Sequence, residues 1–353
     1  MSDADFRPAG QAVEQDWAAL AAWLAARGHV LARDPAPRQF AGGLANLNYL
    51  ITLDGAPAVL RRPPLGELPA GSHDMAREHR ILSRLADALD FVPRSLILGE
   101  DAAVIGARFQ ILEYRPGRVI RASLPADLAG DPAIARRLSE TLIDTLAAIH
   151  AVDPDAVGLG DLGRPQGFLG RAMAGWAKRG LAVAEPGTEA LHADLAAWLR
   201  RHERPDGPAA LLHNDFKLDN VILDPATLRP VAVVDWDQGT RGDALFDLAT
   251  LLSYWTEADD PPAQHEMAQM PATAPGFLNR AEAVAHYAAA TGRDVSDFLF
   301  YRVLAMHKLG VIFLQLGARH RSGATADARY AKLGAIGTGI LEFAADVAAG
   351  RRF

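Results

Sequence analysis

Two short polar segments contain the residues whose types and spacing could carry chemistry in this chain. Residues 213–220 read His-Asn-Asp-Phe-Lys-Leu-Asp-Asn, and residues 235–237 read Asp-Trp-Asp. Transfer of a phosphoryl group from ATP needs a carboxylate that orients the acceptor hydroxyl and oxygen ligands that hold Mg²⁺ against the phosphates. The spacing predicts that Asp215 has the first task, and that Asn220 and Asp235 have the second.

A β-hairpin is predicted between these two segments. The runs 221–223 and 231–234 are apolar and mostly β-branched, and Asp224-Pro225 separates them with turn-forming residues. Such a hairpin would return Asp235 to the side of Asn220. The two side chains could then bind one metal ion.

The two segments resemble the signatures of the aminoglycoside phosphotransferase and choline kinase superfamily, whose members are distant relatives of protein kinases. The matching parts are His-x-Asp-x-x-x-x-Asn, the Asp-Trp-Asp that follows and residues 242–249. The resemblance implies an α+β, bilobal protein-kinase-like fold, with a small antiparallel-sheet N-terminal lobe and a larger, mostly helical C-terminal lobe. It also implies ATP and Mg²⁺ as cofactors and transfer of the γ-phosphate to a substrate hydroxyl.

Lys217 is a departure from many antibiotic kinases of that superfamily. It stands two residues after Asp215, where protein kinases carry a Lys that touches the transferred phosphate. A freely rotating ammonium there would stabilise charge on the moving phosphoryl group. Lys217 therefore joins Asp215 as a predicted catalytic residue.

Composition and charge narrow the class of protein. The chain has 353 residues, of which 50% are hydrophobic and 22% charged, enough for two lobes with separate cores. Its net charge of −7 argues against nucleic-acid binding, and the absence of cysteine excludes disulfides and thiolate sites. The acidic N-terminus lacks the pattern of a signal peptide, and the apolar run 309–316 is too short to span a bilayer. We expect a cytoplasmic protein with a small-molecule hydroxyl acceptor and no nucleic-acid or membrane partner.

The pattern of predicted elements changes near residues 113–116. The part before it contains a helix over 16–27, a hairpin of 47–53 with 57–61, a loop over 62–72, a helix over about 73–89, and strands over 95–98 and 107–114. The part after it is mostly helical, at about 133–150, 166–179, 188–203, 244–256, 278–291, 295–316 and 326–348. We expect a nucleotide-binding lobe over 1–114 and a helical lobe with the catalytic loop and acceptor site over 115–353.

Phosphate-binding groups are predicted at two places in the first lobe. Gly42 and Gly43, in the pattern Gly-Gly-x-x-Asn that ends at Asn46, would let backbone amides approach a phosphate, although such pairs are often ordinary turns. The resemblance places the loop over the ATP phosphates here. Arg61 stands where kinases carry a phosphate-binding Lys on the third strand, and its alternative is a surface Arg beside Arg62.

Glu78 interrupts the apolar stripe of the helix that follows. The stripe consists of Met75, Leu82, Leu85 and Leu89. Burying a carboxylate there without a partner would cost several kcal/mol, so a cation should meet it. Arg61 is the candidate, in the manner of the strand-cation to helix-Glu pair of kinases. The alternative is that Glu78 lies at the edge of the stripe and faces water.

The end of the last strand of this lobe resembles the kinase hinge. Ile111-Leu112-Glu113-Tyr114 carries the likeness. It implies that the Glu113 carbonyl and the Arg115 amide read the adenine edge, with Tyr114 between them in the nucleotide site. A buried strand end is the alternative.

Several polar residues near the catalytic segments have predicted supporting roles. Asp237 fits two roles equally, completing the metal shell or capping a turn before Gly239. His213 is expected to brace the loop through a backbone hydrogen bond. Asp243 is expected to cap a helix, and Asp247 to hydrogen-bond the catalytic loop as in the resembled group.

The acceptor is indicated by the resemblance alone. Gly-Gly-x-x-Asn, Leu-Arg-Arg-Pro-Pro and His73-Asp74-Met75 with Arg77-Glu78 are similar to the kinase domains fused to some acyl-CoA dehydrogenases, which implies a hydroxyacyl group, including its CoA thioester. An aminoglycoside or a choline-like amine is the alternative, which the acidic residues 257–260 could attract.

Two hypotheses of other classes stay open from the residues. A catalytically silent nucleotide-binding module that regulates a partner has little need of Asp215, Lys217, Asn220 and Asp235 together. A metal phosphohydrolase would need further His or carboxylate ligands at matched spacing.

Overall fold

The computed structural model describes residues 5–8, 10–42, 46–64, 73–323 and 330–353. The chain forms two compact units. The first joins Met1–Arg118, Val157–Leu159 and Asn220–Gly239, and the second joins Val119–Ala156, Gly160–Asp219 and Thr240–Phe353. The predicted lobe limits, 1–114 and 115–353, stay a prediction.

A six-stranded antiparallel sheet forms the centre of the first unit. Its strands are β1 (Leu31–Ala32), β2 (Arg38–Gln39), β3 (Leu47–Leu53), β4 (Ala56–Arg62), β5 (Ser95–Gly99) and β6 (Phe109–Glu113). The order is β1-β3-β4-β6-β5, and β2 also pairs with β3. In this register Arg61 on β4 lies opposite Asn48 on β3 and opposite Gln110 on β6. The predicted hairpin over 47–61 is confirmed.

Two helices accompany this sheet in the first unit, α1 (Trp17–Ala25) and α2 (Met75–Leu85). Leu20 and Leu24 of α1 pack with sheet residues such as Leu60 and Phe109 in one apolar core. α2 begins after Asp74, whose side chain accepts a hydrogen bond from the Arg77 amide at 3.1 Å. This N-cap fixes where the helix starts.

A hairpin of β9 (Val221–Leu223) and β10 (Pro230–Val233) also belongs to the first unit, in a small sheet with β7 (Arg118–Val119). The Asp224 side chain closes the turn by accepting hydrogen bonds from the Ala226 and Thr227 amides at 3.0 and 2.7 Å. The predicted hairpin is therefore confirmed.

The second unit is mostly helical. Its helices are α3 (Pro132–Ala151), α4 (Phe168–Ala182), α5 (Glu189–Arg201), α6 (Ala244–Ser253), α7 (Pro262–Met267), α8 (Arg280–Thr291), α9 (Phe298–Arg321) and α10 (Leu333–Ala348). β8 (Ala209–Leu212) and β11 (Thr240–Asp243) form a two-stranded antiparallel ladder. The α+β fold class is confirmed. The sequence analysis did not predict α7 or the β8–β11 ladder. The predicted start of the last helix, at residue 326, lies outside the described residues.

α9 is the one described helix that is long and apolar enough to cross a membrane by length and composition. However, 78% of its apolar window is buried inside the protein. Such burial is typical of a core helix, and α9 packs against α6 and α10 in the second unit.

Candidate active site

A buried ion pair joins Arg61 on β4 to Glu78 on α2. The Arg61 Nε donates to Glu78 Oε2 at 2.7 Å, and the two side chains are 7% and 0% exposed. The predicted pairing of the helix carboxylate with this cation is confirmed. The alternative in which Glu78 faces water is wrong, because the α2 stripe turns this position into the core.

Glu78 accepts two further hydrogen bonds within the first unit. The Gln110 Nε2 donates to Oε2 at 2.5 Å, and the Trp236 amide donates to Oε1 at 3.0 Å. Burial raises the pKa of Glu78, while the neighbouring Arg61 opposes that shift. Three donors on one carboxyl group fit its ionised form. Glu78 therefore anchors Arg61 and also fixes the backbone directly after Asp235.

The far end of the Arg61 guanidinium reaches two more side chains. Its Nη1 donates to Asn48 Oδ1 at 3.3 Å, and its Nη2 donates to Asp235 Oδ1. Burial opposes the charge on Arg61, but the Asp235 and Glu78 carboxylates raise the pKa of the guanidinium above its ordinary value. Arg61, a predicted phosphate ligand, therefore stays protonated and contacts Asp235, a predicted metal ligand.

The oxygen groups predicted to bind Mg²⁺ lie at the end of the β9–β10 hairpin. The Val234 amide donates to the Asn220 carbonyl at 2.9 Å, which brings Asp235 back beside Asn220. Amide and carboxylate oxygens are ligands that Mg²⁺ prefers. The donor set therefore fits this ion, and the metal roles of Asn220 and Asp235 stay predictions.

Asp237 contacts two residues that the sequence analysis did not predict as its partners. Its Oδ2 lies 3.7 Å from His73 Nδ1, and its carbonyl accepts a hydrogen bond from Arg77 Nη1 at 3.4 Å. The turn before Gly239 is closed by the backbone, since the Gly239 amide donates to the Trp236 carbonyl at 2.9 Å. A metal role for Asp237 stays a prediction.

The predicted phosphate loop is described only in part. Gly43 lies outside the described residues, whereas Gly42 and Asn46 are within them. Asn46 is buried, and its Oδ1 lies 2.9 Å from His73 Nδ1. His73, which the sequence analysis named only as part of a motif, therefore lies close to both Asn46 and Asp237.

Two side chains of the predicted hinge, Glu113 and Arg115, contact each other. Glu113 ends β6, its Oε1 lies 2.8 Å from Arg115 Nε, and its Oε2 accepts a hydrogen bond from the Arg94 amide at 3.1 Å. Burial raises the pKa of the Tyr114 hydroxyl. Adenine contacts at Glu113, Tyr114 and Arg115 stay a prediction that concerns mainly backbone groups.

In the second unit, Asp215 and Lys217 lie side by side. The Lys217 Nζ is 3.5 Å from Asp215 Oδ2 and 3.9 Å from Asp219 Oδ1. The Asp215 side chain is 30% exposed. A carboxylate that is accessible and next to a cation suits the orientation of an acceptor hydroxyl.

Tyr254, directly after α6, is a contact of Asp215 that sequence reasoning missed. Its hydroxyl donates to Asp215 Oδ1 at 3.1 Å, and the Lys217 Nζ lies 5.0 Å from its ring centre. Burial, followed by the nearby Asp215, raises the pKa of Tyr254, so the hydroxyl keeps its proton. No local motif marks this residue, because the contact spans 39 positions.

Asp247 supports the segment that carries Asp215. It accepts hydrogen bonds from the His213 amide at 2.7 Å and the Asn214 amide at 2.8 Å, and His150 Nε2 lies 3.3 Å away. The His213 Nδ1 in turn accepts from the Asp215 amide at 3.3 Å. The predicted loop contacts of Asp247 and His213 are confirmed, as is the N-cap at Asp243, which accepts from the Leu245 amide.

The acidic residues 257–260 form ion pairs within the second unit. The buried Arg280 Nη2 pairs with Asp260 and lies 3.4 Å from Glu257 Oε2. Arg352 Nη1 lies 3.9 Å from Asp259 Oδ2. These ion pairs offset part of the acidic charge and so weaken any attraction of the stretch for a cationic amine.

Two curated relatives are similar to this chain. It is 35% identical over 223 residues to acyl-CoA dehydrogenase family member 11 of Gallus gallus, which covers 62% of this chain and 28% of that protein. It is 30% identical over 313 residues to acyl-CoA dehydrogenase family member 10 of Mus musculus, which covers 88% of this chain and 29% of that protein. The chain thus spans less than a third of the length of these relatives.

Solved structures share the fold. A protein from Ralstonia eutropha JMP134, solved as a candidate aminoglycoside phosphotransferase, has 28% identity and a TM-score of 0.77, covering 96% of this chain and 99% of that chain. A mutant of aminoglycoside phosphotransferase APH(4)-Ia, in a ternary complex with ADP and hygromycin B, has 16% identity and a TM-score of 0.61, covering 93% and 98%. The profile of the phosphotransferase enzyme family matches residues 37–284, well over half of the sequence, and the chain therefore belongs to that family of small-molecule phosphotransferases.

Proposed function

We propose that this phosphotransferase is an ATP- and Mg²⁺-dependent kinase that phosphorylates a hydroxyl of a hydroxyacyl compound, including its CoA thioester. The setting of Asp215 is the observation that carries the proposal. One carboxylate oxygen is held by Tyr254, the other lies 3.5 Å from Lys217, and the side chain is accessible. A kinase needs such a carboxylate to accept the proton of the attacking hydroxyl, whereas a silent nucleotide-binding module does not.

Asp215 orients the acceptor hydroxyl and accepts its proton as the oxygen attacks the γ-phosphate. The Tyr254 hydroxyl fixes the rotation of the carboxylate, so that one oxygen keeps a constant direction. The Lys217 ammonium, beside Asp215, stabilises negative charge on the transferred group. Positioning and electrostatics of this kind account for most of the catalysis in phosphoryl transfer.

Arg61 binds the phosphates of the nucleotide, together with the backbone around Gly42, Gly43 and Asn46. A guanidinium has five N–H donors, so Arg61 can keep its Nε on Glu78 while its Nη2 turns from Asp235 to a phosphate oxygen. A lysine ammonium makes both contacts from one nitrogen, whereas the guanidinium makes them from separate nitrogens. This supports Arg61 as a working replacement for the usual Lys.

Asn220 and Asp235 would hold Mg²⁺, and Asp237, two residues after Asp235, is a further candidate ligand. When bound, the ion would neutralise charge on the β- and γ-phosphates. The hydrogen bond from the Trp236 amide to Glu78 holds the backbone next to Asp235 in place. The Glu113 carbonyl and the Arg115 amide are proposed to bind the adenine edge beside Tyr114.

The acceptor class rests on the relatives and on one feature of the second unit. Both relatives are named as acyl-CoA dehydrogenase family members, which associates the shared region with acyl-CoA chemistry. The acidic residues that could attract an aminoglycoside or a choline-like amine are already paired with Arg280 and Arg352. A hydroxyacyl acceptor is therefore favoured over an amine.

A transfer assay tests the proposal. The protein is incubated with Mg·ATP labelled in the γ-phosphate and with hydroxyacyl-CoAs, free hydroxy acids, aminoglycosides and amino alcohols in parallel, and products are read by mass spectrometry. We expect label in a hydroxyacyl compound. Asp215→Asn should lower kcat by about 10²-fold or more, because it removes the proton acceptor.

Asp194→Asn is the matched control, since Asp194 is an exposed carboxylate of the same unit on α5. It should keep the wild-type rate. Transfer by Asp215→Asn at the wild-type rate would overturn the assignment of the base. Nucleotide binding without transfer to any acceptor would favour the silent module, and phosphate release without an acceptor would favour a hydrolase.

A further inference from the structure

Lys308 is a buried lysine in the middle of α9 that donates two hydrogen bonds to one residue. Its Nζ donates to the Asn214 main-chain carbonyl at 2.6 Å and to Asn214 Oδ1 at 2.8 Å. Burying an ammonium is costly unless it gains partners, and here the partners are these two oxygens and the Phe246 ring, whose centre lies 5.2 Å from the Nζ. The contacts of Lys308 thus point to a role at the segment that precedes Asp215.

Asn214 has an uncommon backbone conformation that hydrogen bonds hold in place. Its φ is 65°, in the left-handed region, which asparagine enters more readily than most residues other than glycine. The Asp247 carboxylate holds its amide at 2.8 Å, and Lys308 holds its carbonyl and its side chain. That carbonyl belongs to the peptide bond that leads into Asp215. Fixing it therefore fixes the peptide plane from which Asp215 extends.

We propose that Lys308 is a positioning residue for phosphoryl transfer, which locks the peptide plane between Asn214 and Asp215 and so keeps the Asp215 carboxylate directed at the acceptor. This role rests on the function proposed above. Without Lys308, Asn214 relaxes toward an ordinary φ and Asp215 moves with it. A displacement of about 1 Å at a reacting group can lower a rate by about 10²-fold. ATP binding, which uses other residues, changes little.

The cysteine-free sequence allows a direct test of the Lys308 ammonium. Lys308→Cys carries a single thiol, which is alkylated in denaturant and then refolded. Bromoethylamine restores an ammonium at nearly the length of lysine, whereas propyl bromide adds a chain of the same length without charge. We expect the aminoethylated protein to recover kcat to within about 3-fold of wild type and the propylated protein to stay about 10²-fold lower, with KM for ATP within about 3-fold in both.

Hydrogen–deuterium exchange gives a readout that does not depend on the acceptor. In Lys308→Met, the amides of residues 213–215 should exchange at least about 10-fold faster, while those of α8 exchange at the wild-type rate. Lys178→Met is the matched control, because Lys178 is an exposed lysine on α4 of the same unit. It should change neither kcat nor exchange.

Equal kcat for the two alkylated proteins would overturn the proposal, and so would wild-type exchange at residues 213–215 in Lys308→Met. Faster exchange throughout the second unit would show a merely structural role and would also overturn it. If the wild-type protein phosphorylates no acceptor, the proposed function fails. The local exchange rates still decide whether Lys308 holds the segment.

Discussion

Arg61 shows what one guanidinium can do at a place where kinases carry an ammonium. It contacts Asn48, Glu78 and Asp235 through different nitrogens, so it pairs with a buried helix carboxylate and with a predicted metal ligand at the same time. The residue expected to bind phosphate is therefore also the counter-ion of a residue expected to bind metal. Binding of the two ligands should be linked through this side chain.

Tyr254 is expected to contribute to the rate of phosphoryl transfer and not to nucleotide binding. Tyr254→Phe removes the hydroxyl that donates to Asp215 Oδ1 at 3.1 Å and leaves the ring beside Lys217. A hydrogen bond to a charged group contributes about 1.5 kcal/mol, so kcat should fall about 10-fold. KM for ATP should stay unchanged. Steady-state kinetics with a phosphorylated acceptor measures both constants.

Tyr301→Phe is the matched control for this loss. Tyr301 also donates its hydroxyl to a carboxylate, Asp243 Oδ2 at 2.9 Å, in the same unit. Its removal should lower stability by a similar amount and leave kcat near wild type. An equal fall in kcat for both variants would show that the loss at Tyr254 acts through general stability and not through Asp215.

At the scale of elements, short-range patterns predicted the parts of the site that lie on single helices or hairpins. The apolar stripe of α2 was sufficient to turn Glu78 inward, and the β-branched runs on each side of Asp224 were sufficient to return Asp235 to Asn220. Both predictions depend only on neighbours within about twenty residues.

Contacts between distant elements could not be predicted in this way. The ladder of β8 with β11 includes Thr240-Arg241-Gly242-Asp243, which has no alternation of apolar residues, and it forms because a distant strand pairs with it. Tyr254 and Lys308 reach the Asp215 segment across 39 and 94 positions. A single sequence contains no periodicity that reports such contacts.

α9 also carries His307, which should make the protein sensitive to acid. His307 lies with its ring 6.3 Å from that of His192 on α5, and no nitrogen of either ring has a hydrogen-bond partner in the described part of the chain. Burial, followed by the nearby His192, lowers the pKa of His307 from 6.5 to about 4. Charging this ring in the folded protein is therefore unfavourable.

The sign of the effect follows from proton binding. Between pH 4 and 6.5 the unfolded chain binds a proton at His307 and the folded chain does not. The free energy of unfolding therefore falls as the pH falls through this window, by about 1.4 kcal/mol per pH unit from this group. His307→Leu should flatten that part of the curve in denaturant unfolding measured from pH 7 to 4.

His265→Leu serves as the control, since His265 is exposed on α7. It should preserve the wild-type pH dependence. If His307→Leu loses stability toward pH 4 as steeply as wild type, the buried ring is not the source of acid sensitivity.

At the scale of the whole molecule, charge explains why local groups must bind the nucleotide. The net charge is −7, so the overall field does not attract a triphosphate. Arg61 and Lys217 are nonetheless cations at predicted phosphate positions, each held beside carboxylates at 3.5 Å or less. Mg²⁺ would reduce the negative charge of ATP and so act in the same direction as these two cations.

The Arg61–Asp235 ion pair predicts that ATP and Mg²⁺ stabilise the folded chain cooperatively. At the proposed site, Mg²⁺ alone would have to displace Arg61 from Asp235, whereas ATP would offer the guanidinium a phosphate and free the carboxylate for the metal. Thermal unfolding should show a small shift with Mg²⁺ alone, a moderate shift with ATP alone, and a shift with both that exceeds the sum. A ligand at a hundred times its Kd contributes about 2.7 kcal/mol, which raises Tm by several degrees.

Asp235→Asn tests whether the cooperative shift with ATP and Mg²⁺ arises from the Arg61–Asp235 ion pair or from the general effect of ionic strength. The variant keeps the size of the side chain but loses the charge that pairs with Arg61, so ATP alone should bind at least as well as in wild type, while the extra shift with Mg²⁺ should disappear. Asp194→Asn should retain the full cooperative shift. Additive shifts in the wild-type protein would mean that Arg61 keeps Asp235 when the nucleotide binds, and the metal would then need Asn220 and Asp237 instead.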